Sequence, residues 1–265
     1  MTPTSPATPG ESPPAGALRV ATYNIHKGVI RELFGLRRIS SVHALRSRLH
    51  ELDADLIFLQ EVQGRNEQHA NRFEQWPGEP QDEFLARSPT LKHTFESAYG
   101  RNASYLHGHH GNALLSRYPI VRKENRDFSD HALEKRGVLH CVVQVENRNV
   151  HCFVIHFGLF ARSRERQTDA LIDWIAREVP PRSPLLIAGD FNDWRDHLSR
   201  RLIDSLQVGE VMGSARTFPA LVPWLRMDRI YQRGFALQGA RVLRGPSWAR
   251  LSDHAPLVAD FTLRR

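Results

Sequence analysis

The sequence predicts an α/β protein built from two packed β-sheets with helices outside them. Apolar runs of strand length recur along most of the chain, two segments have apolar residues at helical spacing, and the helices alternate irregularly with hairpins. With 265 residues, 41% of them hydrophobic, the chain can form one large core or two small ones. Because Trp, Phe and Val are spread over most of its length, we expect one folded domain, residues 18–265.

The first half of the chain combines an alternating run, a helical pattern and a continuous apolar run. Alternation predicts a strand, apolar residues at helical spacing predict an amphipathic helix, and a short continuous run predicts a buried strand. The predicted elements are, in order, a strand at 18–24 ending at Asn24, a loop at Gly28, a helix from Ile39 to Leu52, a buried strand at 56–61 ending in Glu61, and long loops over 63–111 with a short helix around 82–87.

The second half contains a hairpin signature and a second helix. A polar turn at 146–149 separates two apolar runs, which predicts the hairpin, and Pro180-Pro181 ends the helix because proline cannot continue it. The predicted elements are, in order, a strand at 113–116, hairpin strands at 138–145 and 150–157, a helix at 162–179, a strand at 185–188 that runs into Gly189-Asp190-Phe191-Asn192, and strands at 228–231, 235–243 and 256–263.

The chain start and the cysteines bear on the cellular compartment. Residues 1–17 are rich in Pro, Ser and Thr and are predicted to form a disordered tail. They lack the basic start and apolar run of a signal peptide, and no long apolar segment follows. Cys141 and Cys152 have no CxxC spacing and are predicted to be buried free thiols. We therefore expect a cytoplasmic protein without stable membrane insertion, and no obligate protein partner is implied.

The net charge of +7 comes largely from arginine. A basic surface attracts phosphate-rich partners such as nucleic acid, anionic lipid head groups or phosphorylated small molecules. Arginines that only keep a globular surface soluble explain the charge equally well. The charge alone therefore does not decide the function.

Polar residues end or precede several of the predicted strands. They are Asn24, Glu61, His156, Asp190 with Asn192, and Asp253 with His254. Each alone fits a turn or a satisfied core residue. Strand ends that face one edge of a sandwich bring distant residues together, so the repeated placement of acid, amide and imidazole favours a cleft. Carboxylate and amide oxygens suit a hard cation such as Mg²⁺, and histidines beside carboxylates suit proton transfer and phosphate stabilisation.

Two further groups of residues have open interpretations. The histidine-rich stretch 107–110 suggests zinc, but adjacent histidines rarely converge on one ion, and we favour a loop that rims the cleft. Arg162, Arg164 and Arg166 open the second helix just after His156. There they either grip an anionic substrate or form a solvated helix start, and the residues favour neither interpretation.

Seven segments, in order along the chain, resemble the endonuclease/exonuclease/phosphatase superfamily. The resemblance covers Leu18 to Leu263 and includes a bacterial subgroup of the YbhP type, which residues 109–120 and 134–139 resemble. The seven segments are Thr22-Tyr23-Asn24, Leu59-Gln60-Glu61, Gly111-Asn112-Ala113-Leu114-Leu115-Ser116, Ile155-His156, Gly189-Asp190-Phe191-Asn192, Met227-Asp228-Arg229-Ile230 and Ser252-Asp253-His254-Ala255-Pro256. Such an ordered set is specific evidence for the superfamily.

The resemblance implies a deoxyribonuclease-like fold, a four-layer sandwich of two mixed β-sheets flanked by helices, with the site at one end. It implies that Glu61 binds a divalent metal directly, that Asn24 lies nearby, and that Asp253 is close to the metal or to the attacking water. The implied metal is Mg²⁺, with Mn²⁺ as a substitute. Some nuclease members carry an acid where this chain has His26, so we expect a single metal. Lys27 is a candidate phosphate contact or a solvated loop lysine.

The resemblance also implies the catalytic residues. Asp190 would orient or deprotonate the attacking water, held together with Asn192. His254 would work with Asp228, whose carboxylate orients the ring. His156 would contact the non-bridging phosphate oxygens, while the metal and an imidazolium stabilise the charge that develops.

The implied function is Mg²⁺-dependent hydrolysis of phosphate esters, chiefly as a phosphodiesterase. A nuclease and a phospholipid or sphingolipid phosphodiesterase are both open. Asn112, Lys27 and Arg166 are the candidate substrate contacts, and Asn112 is also expected to support the cleft. The alternatives are a phosphomonoesterase acting on a small molecule and a non-catalytic phosphate-binding module of the same fold. The intact acid, amide and imidazole positions argue against the binding module.

Overall fold

Two six-stranded mixed β-sheets are formed by the residues that the computed structural model describes, which are 16–31, 38–90, 94–131 and 134–264. The strands are β1 (Ala17–Asn24), β2 (Val29–Arg31), β3 (Arg38–Ser40), β4 (Leu56–Asn66), β5 (Glu96–Tyr105), β6 (Gly108–Ser116), β7 (Ile120–Asp127), β8 (Gly137–Val145), β9 (Arg148–His156), β10 (Leu185–Asp190), β11 (Gly209–Glu210), β12 (Asp228–Arg233), β13 (Phe235–Val242) and β14 (Leu257–Leu263). The helices are α1 (Val42–Glu51), α2 (Glu67–Arg72), α3 (Gln81–Ala86), α4 (Ala161–Glu178), α5 (Ser199–Leu206) and α6 (Pro246–Ala249). The first sheet has the order β13-β14-β1-β4-β6-β5, the second has the order β11-β12-β10-β9-β8-β7, and β2 pairs with β3.

The main core lies between the two sheets, and helices cover their outer faces. Between the sheets, Val20 and Phe58 of the first belong to one apolar cluster with Val154 and Leu186 of the second. A second cluster includes buried side chains of the first sheet, α1 and α3, and a third includes those of the second sheet, α4 and α5. The predicted four-layer sandwich is thereby confirmed.

Each sheet contains one parallel strand pair, β1 with β4 and β9 with β10. The strands of a parallel pair end on the same side of the sheet, so the loops that follow them lie close together. In the second sheet Asp190, at the end of β10, lies opposite His156 on β9 and opposite Asp228 on β12. The register of three strands therefore aligns three of the predicted site residues.

Most predicted elements are confirmed, but the prediction of loops over 63–111 is wrong. This region holds the end of β4, α2, β5 and the start of β6, as well as the short helix α3 that the sequence does predict. β5 is an edge strand of chiefly small and polar residues that are mostly half-exposed or exposed, so no apolar run marks it. The predicted helix start at Ile39 is also wrong, because Ile39 pairs with Ile30 in β2 and α1 begins at Val42.

The chain start and the cysteines can be placed in part. Residues 1–15 of the predicted tail lie outside the described residues, and Ala17 already belongs to β1. Cys141 and Cys152 are buried free thiols, as predicted, and lie opposite each other on β8 and β9. Within the described ranges, no helix is both long and apolar enough to cross a membrane.

A buried arginine fixes the loop that follows β10. Arg229 on β12 is only 2% exposed, and its guanidinium lies 2.6 Å from Asp196 Oδ1 and 3.5 Å from Asp193 Oδ2. The two carboxylate oxygens of Asp193 also accept the main-chain N–H groups of His197 and Leu198. This network holds the loop next to the end of β10, where the predicted site lies.

Arg229→Met is expected to lower the free energy of unfolding by about 3–5 kcal/mol, because it leaves the buried carboxylate of Asp193 without its cationic partner. Urea denaturation followed by tryptophan fluorescence measures the difference. Arg200→Met is the matched control, since the Arg200 side chain is almost wholly exposed on α5 and its loss should change stability by less than about 0.5 kcal/mol. Equal stabilities of the two variants would contradict the structural role of Arg229.

Candidate active site

The candidate site lies at the end of the sandwich where both parallel strand pairs terminate. In the first sheet Asn24 ends β1, and Glu61 lies on the neighbouring strand β4. In the second sheet His156 and Asp190 end β9 and β10, and Asp228 begins β12. Side chains from five strands and from both sheets therefore meet at one place.

The Asp190 carboxylate is the centre of this arrangement. Its Oδ2 accepts a hydrogen bond from Asn24 Nδ2 at 3.1 Å, which links the two sheets. The same oxygen lies 3.8 Å from His156 Nε2 and 3.7 Å from His254 Nε2. Its Oδ1 accepts the main-chain N–H of Asn192 at 2.9 Å. One carboxylate thus connects five of the residues that the sequence singles out, itself included.

His254 is held by a carboxylate on its other side. The distance from His254 Nδ1 to Asp228 Oδ2 is 2.8 Å, and Thr217 Oγ1 donates to the same oxygen at 2.6 Å. The Ser252 hydroxyl donates to the main-chain oxygen of Asn24 and accepts the N–H of His254. With Nδ1 engaged by Asp228, the ring is fixed with Nε2 towards Asp190, which is the geometry of an acid–histidine dyad.

Burial and charge shift the pKa values of these groups in different directions. Burial raises the pKa of Asp190 to about 7, although the nearby His254 lowers it. Burial by itself lowers the pKa of His254, but the carboxylates of Asp228, Asp190 and Asp253 outweigh it and raise the pKa to about 10. Burial, with Arg136 next in effect, lowers the pKa of His156 well below its usual value. The pKa values of the two histidines of the site are therefore shifted in opposite directions.

Glu61 sits at an irregularity of β4 rather than at its end. Its φ is +56°, and the pairing of β4 with β6 shifts between Leu59 and Val62. Such a bulge re-aims a side chain relative to its neighbours in the strand. The Glu61 carboxylate lies 3.6 Å from Lys27 Nζ and is only partly exposed.

The predicted metal ligands lie along the turn that follows β1. Asp253 Oδ1 is 3.2 Å from His26 Nδ1, and Asn24 Oδ1 accepts the main-chain N–H of His26 at 3.0 Å. The carboxylates of Asp253 and Glu61 therefore lie next to His26 and Lys27 of this turn, and the Asn24 amide oxygen lies beside them. These hard oxygen donors fit Mg²⁺, which prefers carboxylate ligands. Glu61, Asn24 and Asp253 are therefore chemically suitable ligands for Mg²⁺, and their role as metal ligands stays a prediction.

A different group of ligand-type atoms in the described ranges lies close enough together to hold a metal ion. One atom each of Asp190, Asp228 and His254 lie within 4.8 Å of one another, an arrangement that could hold a metal ion. Two of the three already pair with each other at 2.8 Å. A metal at this position would have to displace that hydrogen bond, so we interpret the group as the dyad and its carboxylate neighbour.

The structure separates the three predicted substrate contacts. Asn112 is fully buried, and its amide donates to the main-chain oxygens of Gly137 and Val154, so it supports the cleft from beneath rather than lining it. The expected support of the cleft is thus present, and a contact of Asn112 with substrate stays a prediction. Arg166 lies on the cleft rim but forms a two-pronged ion pair with Asp130.

Two open cavities meet at Lys27. One, of about 550 Å³, is lined by His26, Arg38 and Asp253 among others. The other, of about 920 Å³, is lined by Glu61, His156 and the rim residues of α4. Lys27 lines both cavities, and its role as a phosphate contact stays a prediction.

His110 is a cleft residue that the sequence did not single out from its stretch. Residues 108–110 belong to β6, not to the predicted rim loop. His110 lines the larger cavity with Glu61 and His156, and its buried Nδ1 has no hydrogen-bond partner among the described residues. His109 instead bonds to the Tyr99 hydroxyl at 2.9 Å, so the described histidines here do not converge on one ion. Their shared sequence context gives no signal that tells His110 from His109.

Comparison with known proteins agrees with this geometry. A model of the endonuclease/exonuclease/phosphatase family matches residues 21–254. The uncharacterized protein YbhP of Escherichia coli K12 is 42% identical over 254 residues, covering 93% of this chain and 97% of YbhP. A solved endonuclease/exonuclease/phosphatase structure from Beutenbergia cavernae has a TM-score of 0.71 at 19% identity, covering 94% of this chain and 72% of that one. The mannosyl-6-phosphatase Bt3783 of Bacteroides thetaiotaomicron has a TM-score of 0.66 at 16% identity, covering 93% and 100%.

The two solved structures are similar to this chain in fold alone, because their sequence identities are low. The family match spans both sheets and ends at His254, and the 42% identity extends over nearly the whole chain. The chain therefore belongs to the endonuclease/exonuclease/phosphatase family.

Proposed function

We propose that this protein is a Mg²⁺-dependent hydrolase of phosphate esters, and that within this class it is a phosphodiesterase. The observation that carries the proposal is the buried Asp190 carboxylate, which one amide and two imidazoles approach within 3.8 Å. Burying a carboxylate costs free energy, and two hydrogen bonds, from Asn24 and from the Asn192 N–H, offset that cost only in part, because burial still raises the pKa of Asp190. A buried acid with a raised pKa beside two imidazoles is typical of a catalytic group.

The protein side of the reaction is proton transfer and charge stabilisation at phosphorus. Asp190 Oδ2 is the acceptor that orients and deprotonates a water for in-line attack. His254 has its Nδ1 held by Asp228, which leaves Nε2–H to donate towards the phosphate or leaving oxygen. His156 Nε2 faces the same space and donates to a non-bridging oxygen.

In this proposal the divalent metal would bind near the strand ends of the first sheet. Glu61 would bind it directly, with the Asn24 oxygen and Asp253 next to it. When bound, the metal supplies Lewis-acid stabilisation of the charge on the phosphate oxygens, and Mn²⁺ is expected to substitute for Mg²⁺. Lys27, at the meeting point of the two cavities, adds a second positive charge for the phosphate.

Two cavities on either side of Lys27 favour a diester over a monoester. A diester has a substituent on each side of phosphorus, and the chain has open volumes of about 550 Å³ and about 920 Å³ for them. The second candidate function is a phosphomonoesterase on a small molecule, because a matched structure is named a mannosyl-6-phosphatase. A non-catalytic module is disfavoured, since such a protein would gain nothing from keeping Asp190 buried.

The test is hydrolysis of bis-p-nitrophenyl phosphate and of p-nitrophenyl phosphate by the full chain, with Mg²⁺ and with EDTA. We expect metal-dependent release of nitrophenol, faster from the diester than from the monoester. Faster release from the monoester would favour the phosphomonoesterase. Release from neither ester with Mg²⁺ or Mn²⁺ would favour the binding module.

Glu61→Gln is expected to raise the Mg²⁺ concentration for half-maximal activity at least about tenfold, because a neutral amide replaces a charged ligand. Titration of the diesterase activity with Mg²⁺ measures this shift, and calorimetric titration with Mn²⁺ measures binding without turnover. Glu67→Gln is the control, because Glu67 is an exposed glutamate on α2, the helix that directly follows β4. The same half-saturation in Glu61→Gln and wild type would remove Glu61 from the metal site.

A further inference from the structure

Most of the exposed large apolar side chains of the described residues lie at the end of the molecule that carries the site. In the described residues these side chains lie chiefly on loops that follow β5, β9 and β10 or precede β12. The parallel pairing and the register of the strands place all four loops at the end where Asp190 and His254 meet. Apolar side chains gathered on one face of a protein mark an interaction surface.

The most apolar of these loops is a tight hairpin beside His254. Its base is a bridge between Phe218 and Leu225, and the Phe218 ring lies 5.0 Å from the ring of His254. Ala220 N–H donates to the main-chain oxygen of Asp253 at 2.7 Å, which fixes the hairpin to the site.

Three side chains at the hairpin turn point into water. Leu221 is 64% exposed, Val222 is 69% exposed and Trp224 is 61% exposed. We name these three residues the apolar tip. Because main-chain hydrogen bonds hold the hairpin in place, the apolar tip is presented in a fixed position rather than on a free loop.

A second apolar patch lies across the cleft. Leu159 and Phe160, on the loop that follows His156, are 63% and 61% exposed, and both line the larger cavity. We name this pair the apolar ledge. The hairpin of the apolar tip packs against His254, and the apolar ledge lines the same cavity as His156. The opening of the site therefore lies between two apolar surfaces.

The cleft rim near the apolar ledge is basic. Lys135 and Arg162 line the larger cavity and, among the described residues, form no ion pair. The acids of the same rim are already neutralised, Asp130 by Arg166 and Glu134 by Arg136. The free charge at this edge is therefore positive, in line with the net charge of +7.

We propose that the apolar tip and the apolar ledge dock this end of the protein onto an anionic phospholipid surface. Apolar side chains next to unpaired lysine and arginine are the combination that binds the boundary between anionic head groups and acyl chains. Phe160 and Trp224 are aromatic and can stack on bases. The other three exposed side chains, Leu159, Leu221 and Val222, are aliphatic and cannot, so the two patches together favour the acyl-chain boundary of a lipid surface over a nucleic acid. On the proposed function, on which this step rests, the ester that reaches Asp190 from such a surface is that of a phospholipid head group.

Vesicle co-sedimentation in EDTA tests the docking without turnover. The full chain is mixed with vesicles of phosphatidylcholine alone or with phosphatidylglycerol, and the bound fraction is measured. We expect binding that increases with the phosphatidylglycerol content. The triple variant L221S/V222S/W224S should bind at least about tenfold more weakly, because three side chains no longer leave water. The variant K135Q/R162Q should lose most of the preference for the anionic vesicles.

The matched control removes exposed apolar side chains from the opposite end. Val121 and Leu237 are also exposed, and Val121 lies near the start of β7, far along the strand register from the site. V121S/L237S should bind vesicles as the wild type does. Thermal unfolding of each variant verifies that it is folded.

The outcomes separate the docking from the chemistry. Absence of vesicle binding by the wild type, or equal binding by wild type and L221S/V222S/W224S, would overturn the proposed docking. Binding of a single-stranded oligonucleotide in place of vesicles would overturn it in favour of nucleic acid. Hydrolysis of the soluble diester is measured without vesicles, so failure of the proposed function shows there and leaves the docking result intact.

Discussion

Replacing Asp190 with asparagine is expected to lower the turnover number for bis-p-nitrophenyl phosphate at least about a hundredfold. The amide has the shape of the carboxylate, so the N–H of Asn192 keeps an acceptor. The negative oxygen that faces both imidazoles is lost, and the attacking water has no anionic group to take its proton. Steady-state kinetics at saturating Mg²⁺ measure the effect.

The same substitution is expected to stabilise the fold above neutral pH. Burial raises the pKa of Asp190 to about 7, against 3.8 for an ordinary aspartate. Between these values the unfolded chain has released a proton that the folded protein retains, so the wild type loses stability as the pH rises, and this loss is complete above the folded pKa. Thermal unfolding midpoints at about pH 5 and about pH 8 should show the larger advantage of Asp190→Asn at the higher pH.

The control for Asp190→Asn is the same exchange at an exposed carboxylate. Asp204 lies on α5, and its side chain is 70% exposed, so Asp204→Asn should change neither turnover nor stability. An Asp190→Asn protein that is folded and keeps more than about a tenth of the wild-type turnover would remove Asp190 from the proposed mechanism.

The site residues of the second sheet could be predicted because their strands are buried on both faces. Such strands appear in the sequence as continuous apolar runs, as at 152–155 and 185–188. A histidine or an acid at the end of such a run interrupts a pattern that burial otherwise enforces. His156 and Asp190 are therefore visible in the sequence, and the parallel pairing of β9 and β10 brings them together.

Residues whose position depends on an irregular register could not be predicted. β4 pairs with β6 through two register shifts, and these decide that His110 lines the cleft while His109 turns to Tyr99. Asn112 lies in a recognisable segment, but its amide bonds to strands of the other sheet, a contact that depends on how the sheets pack. The sequence pattern predicts which residues share a strand face and where a strand ends. It does not predict bulges or the packing of one sheet on the other, because these depend on the folded chain.

The apolar tip shows the same limit in a loop. Leu221, Val222 and Trp224 form no helical or alternating pattern, and the expectation of no stable membrane insertion rests on the absence of an apolar helix. Their exposure follows from the hairpin that Phe218 and Leu225 close. A docking surface assembled from several loops therefore leaves no periodic trace in the sequence.

Removing the imidazole of His254 is expected to lower turnover at least about a hundredfold, and Asp228→Asn to lower it at least about tenfold. Asp228 makes its hydrogen bond to His254 Nδ1 and has no access to the cleft, so it acts through the ring. The double variant His254→Ala/Asp228→Asn should therefore be no slower than His254→Ala alone, because the second change removes a partner of a group already absent. If the two losses multiplied instead, Asp228 would act by another route, such as support of the fold through Thr217. Kinetics of the three variants, with His43→Ala as the control for an exposed histidine, distinguish a positioning carboxylate from a structural one.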